Sequence, residues 1–284
     1  MSARPSEVGG MRIFNGTALA ARLNAETQAR VAELGRAPRC RVLLDGSNAG
    51  MAAYGARLAD SAVAAGIDLE TESYPQAAEV LPRLATLAAD ATLDAVATLY
   101  PLPAGVDPLQ AALTLGAAKD IDGLHPENAG LLALGAPARA PATARACRLI
   151  AEDIAGPLTG REVVLVGASR IVGRPLAQLL LDAGATVTLT HADTRDLAAH
   201  TRGAEIVITA AGRAGLIGPD HLADGTVVLD VSINRGAHGV IGDVDLAALA
   251  DRDVTVTHVP DGVGPVTTGC LLANIAATAC EAGS

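Results

Sequence analysis

Aromatic side chains are almost absent from this sequence. Phe14, Tyr54, Tyr74 and Tyr100 are the whole set in 284 residues, and there is no tryptophan. A core built without rings has to be packed from small aliphatic groups, which suits helices laid on a sheet. The same scarcity gives weight to any ring that falls in a motif. Lysine is scarcer still, because Lys119 is the only one. A lysine can act as a base once its pKa is lowered, whereas an arginine stays protonated. Proton-transfer chemistry that depends on a lysine therefore has one candidate.

Positive charge is also short. The formal net charge is −10 and the pI about 5.0, which excludes the basic face that nucleic acid requires. Cys40, Cys147, Cys270 and Cys280 show no CxxC spacing, so no zinc or other metal site is expected. Four scattered cysteines read as reduced thiols in a reducing cytosol, which implies a cytoplasmic protein. The N-terminus lacks the apolar stretch of a signal peptide, and no apolar run of about 20 residues is evident, so no membrane association is expected. Residues 1–10 read as a disordered tail.

What is present is an alternation of helix and strand patterns. Helical stretches at 15–35, 51–65, 77–89 and 108–115 are interleaved with short apolar strands at 41–45, 68–74 and 93–99. An irregular Ala/Pro/Arg segment follows at 136–142, then a helix at 143–154 and a second alternating unit. Its strands are expected at 161–166, 186–190, 206–210, 227–231 and 254–258. The fold class is α/β: a first α/β domain over 11–145 and a Rossmann-like doubly wound domain over 146–266. A closing helix over 267–284 is expected to pack back on the first domain.

Three motifs carry candidate chemistry. The turn Gly167-Ala168-Ser169-Arg170-Ile171-Val172-Gly173-Arg174-Pro175 follows an apolar strand and opens a helix. There, backbone N–H groups and the helix dipole face an anion. The spacing is GxSxxxGxP rather than GxGxxG, so the turn is either a phosphate cradle or a tight turn only. The next strand ends at Thr190-His191, with no acid before Asp193, and two arginines lie in the turn. This favours NADP, with NAD possible. Lys119-Asp120-Ile121-Asp122-Gly123 places two acids in a turn that is either solvated or part of a site. Tyr54, with Arg57 at i+3, lies on a helix and reads as a core residue or a site residue. Pro260-Asp261-Gly262-Val263-Gly264-Pro265 is a stiff loop before the last helix, of a kind that lets backbone approach a ligand.

These motifs are collinear with those of the bifunctional methylenetetrahydrofolate dehydrogenase/cyclohydrolase family. From about residue 11 to 280 the chain resembles that family. GSN at 46–48 with Tyr54 resembles its first folate segment, Pro101-Leu102-Pro103 its LPLP, and KDIDGLHP at 119–126 its KDVDGFHP. GASRIVGRP, DVSINR at 230–235, Gly242-Asp243-Val244 and PDGVGPVT at 260–267 resemble its cofactor-domain motifs. The resemblance implies a tetrahydrofolate site in the cleft between domains, NAD(P) on the second domain, and a homodimer through the second domain. Tyr54 would stack on the folate and Asp122 would bond the pterin edge. The substrate set it implies is Tyr54, Leu58, Leu99, Tyr100, Pro101, Asp122, Pro260, Asp261, Gly262, Pro265 and Thr267. Of these Tyr54, Asp122 and Asp261 are the candidates for chemistry. The cofactor would be lined by Gly167, Ala168, Ser169, Ile171, Val172, Gly173, Arg174, Thr190, His191 and Ile233.

Against the family pattern, Leu58 stands where a lysine is usual, Leu99 where a glutamine is usual, Asp261 replaces a glycine and Ser232 another. Two leucines cannot relay a proton, so the cyclohydrolase step loses its usual base, while hydride transfer needs mainly positioning. Three readings stay open. The first is an NADP-linked methylenetetrahydrofolate dehydrogenase with weak or absent cyclohydrolase activity. The second is a one-carbon transferase of specialised metabolism, and the third a non-catalytic folate-binding paralogue.

Overall fold

The computed structural model describes residues 6–74, 76–236 and 239–282. The chain divides into two compact units. One comprises the chain up to Ala21 together with Thr143–Thr267, the other Arg22–Ala142 together with the chain from Thr268 on.

The first unit is built on a seven-stranded sheet. Its spatial order is β1 (Ser6–Val8), β2 (Met11–Phe14), β12 (Thr255–Thr257), β9 (Val227–Asp230), β8 (Ile206–Thr209), β6 (Glu162–Val166) and β7 (Thr186–Thr190). All pairs are parallel except β1 with β2. β8 and β9 are buried at every position, as expected of strands covered on both faces. Their apolar runs explain this: Ile206-Val207-Ile208 and Val227-Val228-Leu229 have no polar face to offer water. The core gathers Val164, Val166, Val207, Ile217, Val228, Val254 and Val256 with Met11. Helices α7 (Gly173–Asp182) and α8 (Leu197–Thr201) follow β6 and β7, and a two-stranded ribbon, β10 (Asn234–Gly236) with β11 (Gly239–Ile241), follows β9.

The second unit has a parallel three-stranded sheet in the order β4 (Asp68–Ser73), β3 (Arg39–Leu44), β5 (Ala95–Thr98). Its helices are α2 (Ala49–Ala64), α3 (Val80–Ala89), α4 (Pro108–Leu115) and α5 (Pro126–Ala133). Local chemistry sets their starts. Asn48 Oδ1 accepts the N–H groups of Gly50 and Met51 at 3.1 and 3.2 Å to cap α2. Asp107 caps α4, whose first residue is a proline that has no N–H to leave unpaired. Leu43, Tyr74, Leu84, Leu87, Val96 and Leu115 form its core. α1 (Thr17–Leu34), α6 (Ala142–Ala155) and α9 (Val263–Ala282) each run across the division in sequence.

The structure corrects four expectations. The tail expected over residues 1–10 is ordered strand from Ser6, because Gly9-Gly10 forms a two-residue turn that pairs β1 with β2; residues 1–5 lie outside the described residues. Residues 11–21 belong with the Rossmann-like unit, not with the first α/β domain, because β2 pairs in parallel with β12. The last helix starts at Val263 instead of 267, so Pro265 and Thr267 sit in its first turns, where a proline costs no hydrogen bond. That helix is also long and apolar enough, by composition, to match a membrane span, contrary to the expectation that no such run exists; most of it is buried inside the protein.

Candidate functional site

The turn after β6 is shaped by two close approaches of backbone. Gly167 has φ +119°, and a Cβ there would lie 2.5 Å from the Ala210 carbonyl oxygen; a Cβ on Gly173 would lie 1.8 Å from the Gly167 oxygen. Only glycine fits at either place. Ser169 closes the turn from inside, its Oγ accepting the Val172 N–H at 3.1 Å and the Gly173 N–H at 3.4 Å. Arg174 Nε donates to the Ala168 oxygen at 3.1 Å. Ala168, Ile171 and Val172 are partly buried, while Ser169, Arg170 and Arg174 face solvent at the start of α7. At the end of β7, Thr190 is buried with its hydroxyl donating to the Leu165 oxygen at 2.9 Å, whereas His191 is exposed. Ile233, beyond β9, is 69% exposed. A strand, a glycine turn and an open helix N-terminus bearing two arginines fit a dinucleotide pyrophosphate.

Two buried acids organise the neighbouring strand ends. Asp243 accepts from Thr209 Oγ1 (2.8 Å), Ser232 Oγ (2.7 Å), Asn234 Nδ2 (3.1 Å) and the N–H groups of Ala211, Gly212 and Arg213 (2.8, 3.2 and 2.7 Å). Desolvation works against its charge, but these donors hold its pKa below the usual carboxylate value. Asp230 accepts the N–H groups of Ser232, Asp243 and Val244. Its pKa is pushed up to about 6, chiefly by burial, with the Asp243 charge adding to it. Together they tie the loop after β8 to the loop after β9. In the sequence Asp243 stands out only as part of the Gly242-Asp243-Val244 motif; the signal for its role is an acid placed among apolar strands.

In the second unit the two acids of KDIDG have different jobs. Asp120 is 2% exposed and spent on structure: its carboxylate accepts the N–H groups of Asp122 (3.2 Å) and His125 (2.7 Å) and the Asn128 side chain (3.1 Å). Asp122 keeps partial exposure. Its pKa is raised to about 7, first by desolvation, then by the Asp120 charge; a hydrogen bond from the Ala142 N–H at the start of α6 opposes the rise. Tyr100 is pushed up to about 12 by burial and by Asp122 and Asp120. Tyr54, half-buried, is raised by burial, held back by a hydrogen bond with Thr268, and raised again by Asp122. Two of the four aromatics thus share the field of Asp122, and the other two, Phe14 and Tyr74, are core. Lys119 donates to the carbonyl oxygens of Leu87, Ala88 and Asp90 at the end of α3. Leu58 is fully buried on α2 and Leu99 is 9% exposed just beyond β5, whereas Pro101, joined to Tyr100 by a cis peptide, is exposed. Leu58 is thus a packed side chain with no solvent-facing surface.

In the first unit Pro260 and Asp261 are exposed, Gly262 is buried, and Pro265 and Thr267 are intermediate. The loop is braced from β2: the Gly16 N–H donates to the Asp261 oxygen at 2.8 Å and the His258 N–H to the Phe14 oxygen at 3.3 Å. His258 Nδ1 lies 3.9 Å from Asp261 Oδ2.

Comparison with known proteins decides the family. Residues 141–282 match the model of the tetrahydrofolate dehydrogenase/cyclohydrolase NAD(P)-binding domain, and residues 14–122 that of its catalytic domain. The chain belongs to the tetrahydrofolate dehydrogenase/cyclohydrolase family. A bifunctional protein FolD of Acidiphilium cryptum is 45% identical over 268 residues, covering 93% of this chain and 96% of the relative. The FolD methylenetetrahydrofolate dehydrogenase/cyclohydrolase of Campylobacter jejuni superposes with TM-score 0.88 at 33% identity, over 95% of this chain and 99% of that one. The Trypanosoma brucei FolD, solved with NADP and an inhibitor, gives 0.87 at 28% identity over 95% and 97%. None of these relatives is described as a one-carbon transferase or a non-catalytic paralogue. The protein is therefore an enzyme of folate one-carbon metabolism, with an NAD(P) domain and folate as the carrier of the one-carbon unit.

Proposed function

We propose that this family member oxidises 5,10-methylenetetrahydrofolate to the 5,10-methenyl form with NADP, and that its cyclohydrolase step is slow. The carrying observation is the electrostatics around Asp122. Burial and then the Asp120 charge raise its pKa to about 7, against the hydrogen bond from the Ala142 N–H. Leu58 and Leu99 stand where the family carries lysine and glutamine, and both are buried. The one lysine is tied to three carbonyls at the end of α3. Among the described residues no other amine side chain is left to take a proton from an attacking water.

The remaining roles follow from the side chains. Asp122, as carboxylate, accepts two N–H bonds from the amino-pyrimidinone edge of the pterin. Tyr54 supplies a ring face, and Tyr100 stays protonated as a donor. The N–H groups at the start of α7 hold a pyrophosphate, with Arg174 beside it and Arg170 facing the extra phosphate of NADP. The absence of an acid directly after β7 suits a 2′-phosphate, which favours NADP. When bound, NADP supplies the hydride acceptor. Hydride transfer then needs mainly that the two carbons be held in contact.

The test is an absorbance assay with methylenetetrahydrofolate and NADP or NAD that follows methenyl formation separately from its hydrolysis. Accumulation of the methenyl form is expected; its conversion as fast as it forms refutes the slow second step.

A further inference from the structure

We propose that Asn274 is a positioning residue of the folate site: its buried side-chain amide holds the segment that carries Asp122 against the segment that supplies the carboxylate's backbone donor. The inference deepens the reading of Asp122 as the pterin anchor and rests on it.

The arrangement is local to the second unit, which contains Asp122, Ala140, Ala142 and Asn274. Asn274 lies on α9 and is 5% exposed. An amide buried without partners is costly, so its protons have to be spent. Nδ2 donates to the Ile121 oxygen at 2.8 Å and to the Ala140 oxygen at 3.0 Å. Both acceptors are carbonyls. A hydroxyl has one proton and a carboxylate none, so neither could serve both. Ile121 directly precedes Asp122. Ala140 stands two residues before Ala142, whose N–H bonds the Asp122 carboxylate. One amide therefore sets the spacing between the acid and its donor.

Other contacts fix the two segments from outside. The Val96 N–H on β5 donates to the Lys119 oxygen at 2.9 Å. Gly123, at φ +63°, turns the chain so close to the other segment that a Cβ would lie 2.1 Å from the Arg139 oxygen. Arg139 pairs with Glu281 in the last turn of α9 and donates to the Ala117 oxygen at 2.6 Å. The same helix reaches Tyr54 through a hydrogen bond with Thr268.

The consequence is electrostatic. Burial and the Asp120 charge raise the Asp122 pKa, and the Ala142 N–H lowers it. The acids around it stay protonated near neutrality, because Tyr54 on α2, Tyr100 after β5 and the Cys40 thiol on β3 are all pushed up. Arg57 on α2 is a fixed cation whose charge acts on Tyr54, and Arg139 is paired with Glu281. His125 turns its Nδ1 to the Glu127 N–H. Without the clamp the Ala142 donor moves off and the carboxylate is harder to form. The pterin edge then meets a neutral acid at a pH where the parent offers an anion.

The experiment measures tetrahydrofolate affinity by calorimetry from pH 6 to 9. It compares the parent, Asn274→Ala, Asn274→Ser, Asp122→Ala and the Asn274→Ala, Asp122→Ala double variant. In Asn274→Ala the rise of affinity with pH should move up by about one pH unit, weakening binding roughly tenfold at pH 6, about fivefold at pH 7 and hardly at pH 9. Asn274→Ser keeps one proton to donate and should fall between; it carries the same test where the alanine variant does not fold. In the Asp122→Ala background, Asn274→Ala should change affinity by less than about twofold. A loss of equal size at every pH, or equal in both backgrounds, makes Asn274 a structural residue only and overturns the inference while the pterin reading stands. Parental affinity in Asn274→Ala, with Asp122→Ala weakened, overturns it as well. Parental affinity in Asp122→Ala overturns the pterin reading and the inference with it.

Discussion

The Ser232 hydroxyl donates to Asp243 Oδ2 at 2.7 Å and accepts the Gly212 N–H at 3.0 Å. It is a side-chain link between the loops after β8 and β9. Ser232→Ala removes a donor to a buried carboxylate and an acceptor for a backbone N–H. We expect a loss of about 1.5–3 kcal/mol in urea unfolding. Asp243→Ala strips six donors of their acceptor and should cost more than Ser232→Ala. Equal stability of the serine variant and the parent would show that the link is replaceable by water.

Asp122 gives a stability effect of defined sign. Its folded pKa is about 7, against about 3.9 for a free aspartate. A raised acid favours the folded state while it is protonated. Its contribution is therefore fully present below about pH 4 and lost as pH rises through about 7. The unfolding free energy of the parent relative to Asp122→Asn should fall over that window. A pH-independent difference between the two would mean that Asp122 ionises like a free carboxyl.

The same group predicts a proton released on folate binding. If the pterin bonds the carboxylate form, affinity for tetrahydrofolate rises with pH up to about 7 and levels off above it. Calorimetry at neutral pH in buffers of different ionisation enthalpy reads the released proton directly. Asp122→Ala should weaken binding by roughly tenfold or more, the cost of a charged hydrogen bond. Unchanged affinity in that variant would remove Asp122 from the pterin site.

The proposed slow hydrolysis is tested by introducing the lysine and glutamine that the family resemblance implies at positions 58 and 99. Leu58→Lys puts an amine at a fully buried position, so a stability loss of about 2 kcal/mol or more is expected. In the Leu58→Lys, Leu99→Gln double variant, methenyl hydrolysis should rise by more than the two single changes combined, because the glutamine is proposed to act through the lysine. Strictly additive or absent gains would mean the surrounding side chains do not orient the new amine.

For the cofactor, Arg170 and Arg174 are exposed at the mouth of the glycine turn. Arg170→Ala should weaken NADP by roughly tenfold and NAD much less, because only NADP carries the extra phosphate. Titration calorimetry with each nucleotide measures this. An equal loss for both would place Arg170 against the shared pyrophosphate.

By itself the sequence determined the α/β class, the parallel strands and the glycine turn. Runs such as Val163-Val164-Leu165-Val166 have one stable use, a strand covered on both faces, and GxSxxxGxP between such a strand and a helix leaves little conformational choice. It also determined what is missing, since one lysine and four aromatics are a matter of composition. The tertiary structure decided the rest, because those outcomes depend on partners far away in the chain. Arg12 and Thr255 are 243 positions apart, yet their pairing is what carries β2 into the Rossmann-like sheet and takes residues 11–21 out of the first domain. Asp120 and Asp122 are the same side chain two residues apart. One is consumed by the N–H groups of His125 and Asp122, and the other is desolvated with a single backbone donor. Local pattern cannot separate them, because what distinguishes them is the supply of donors and water, which only the folded chain sets.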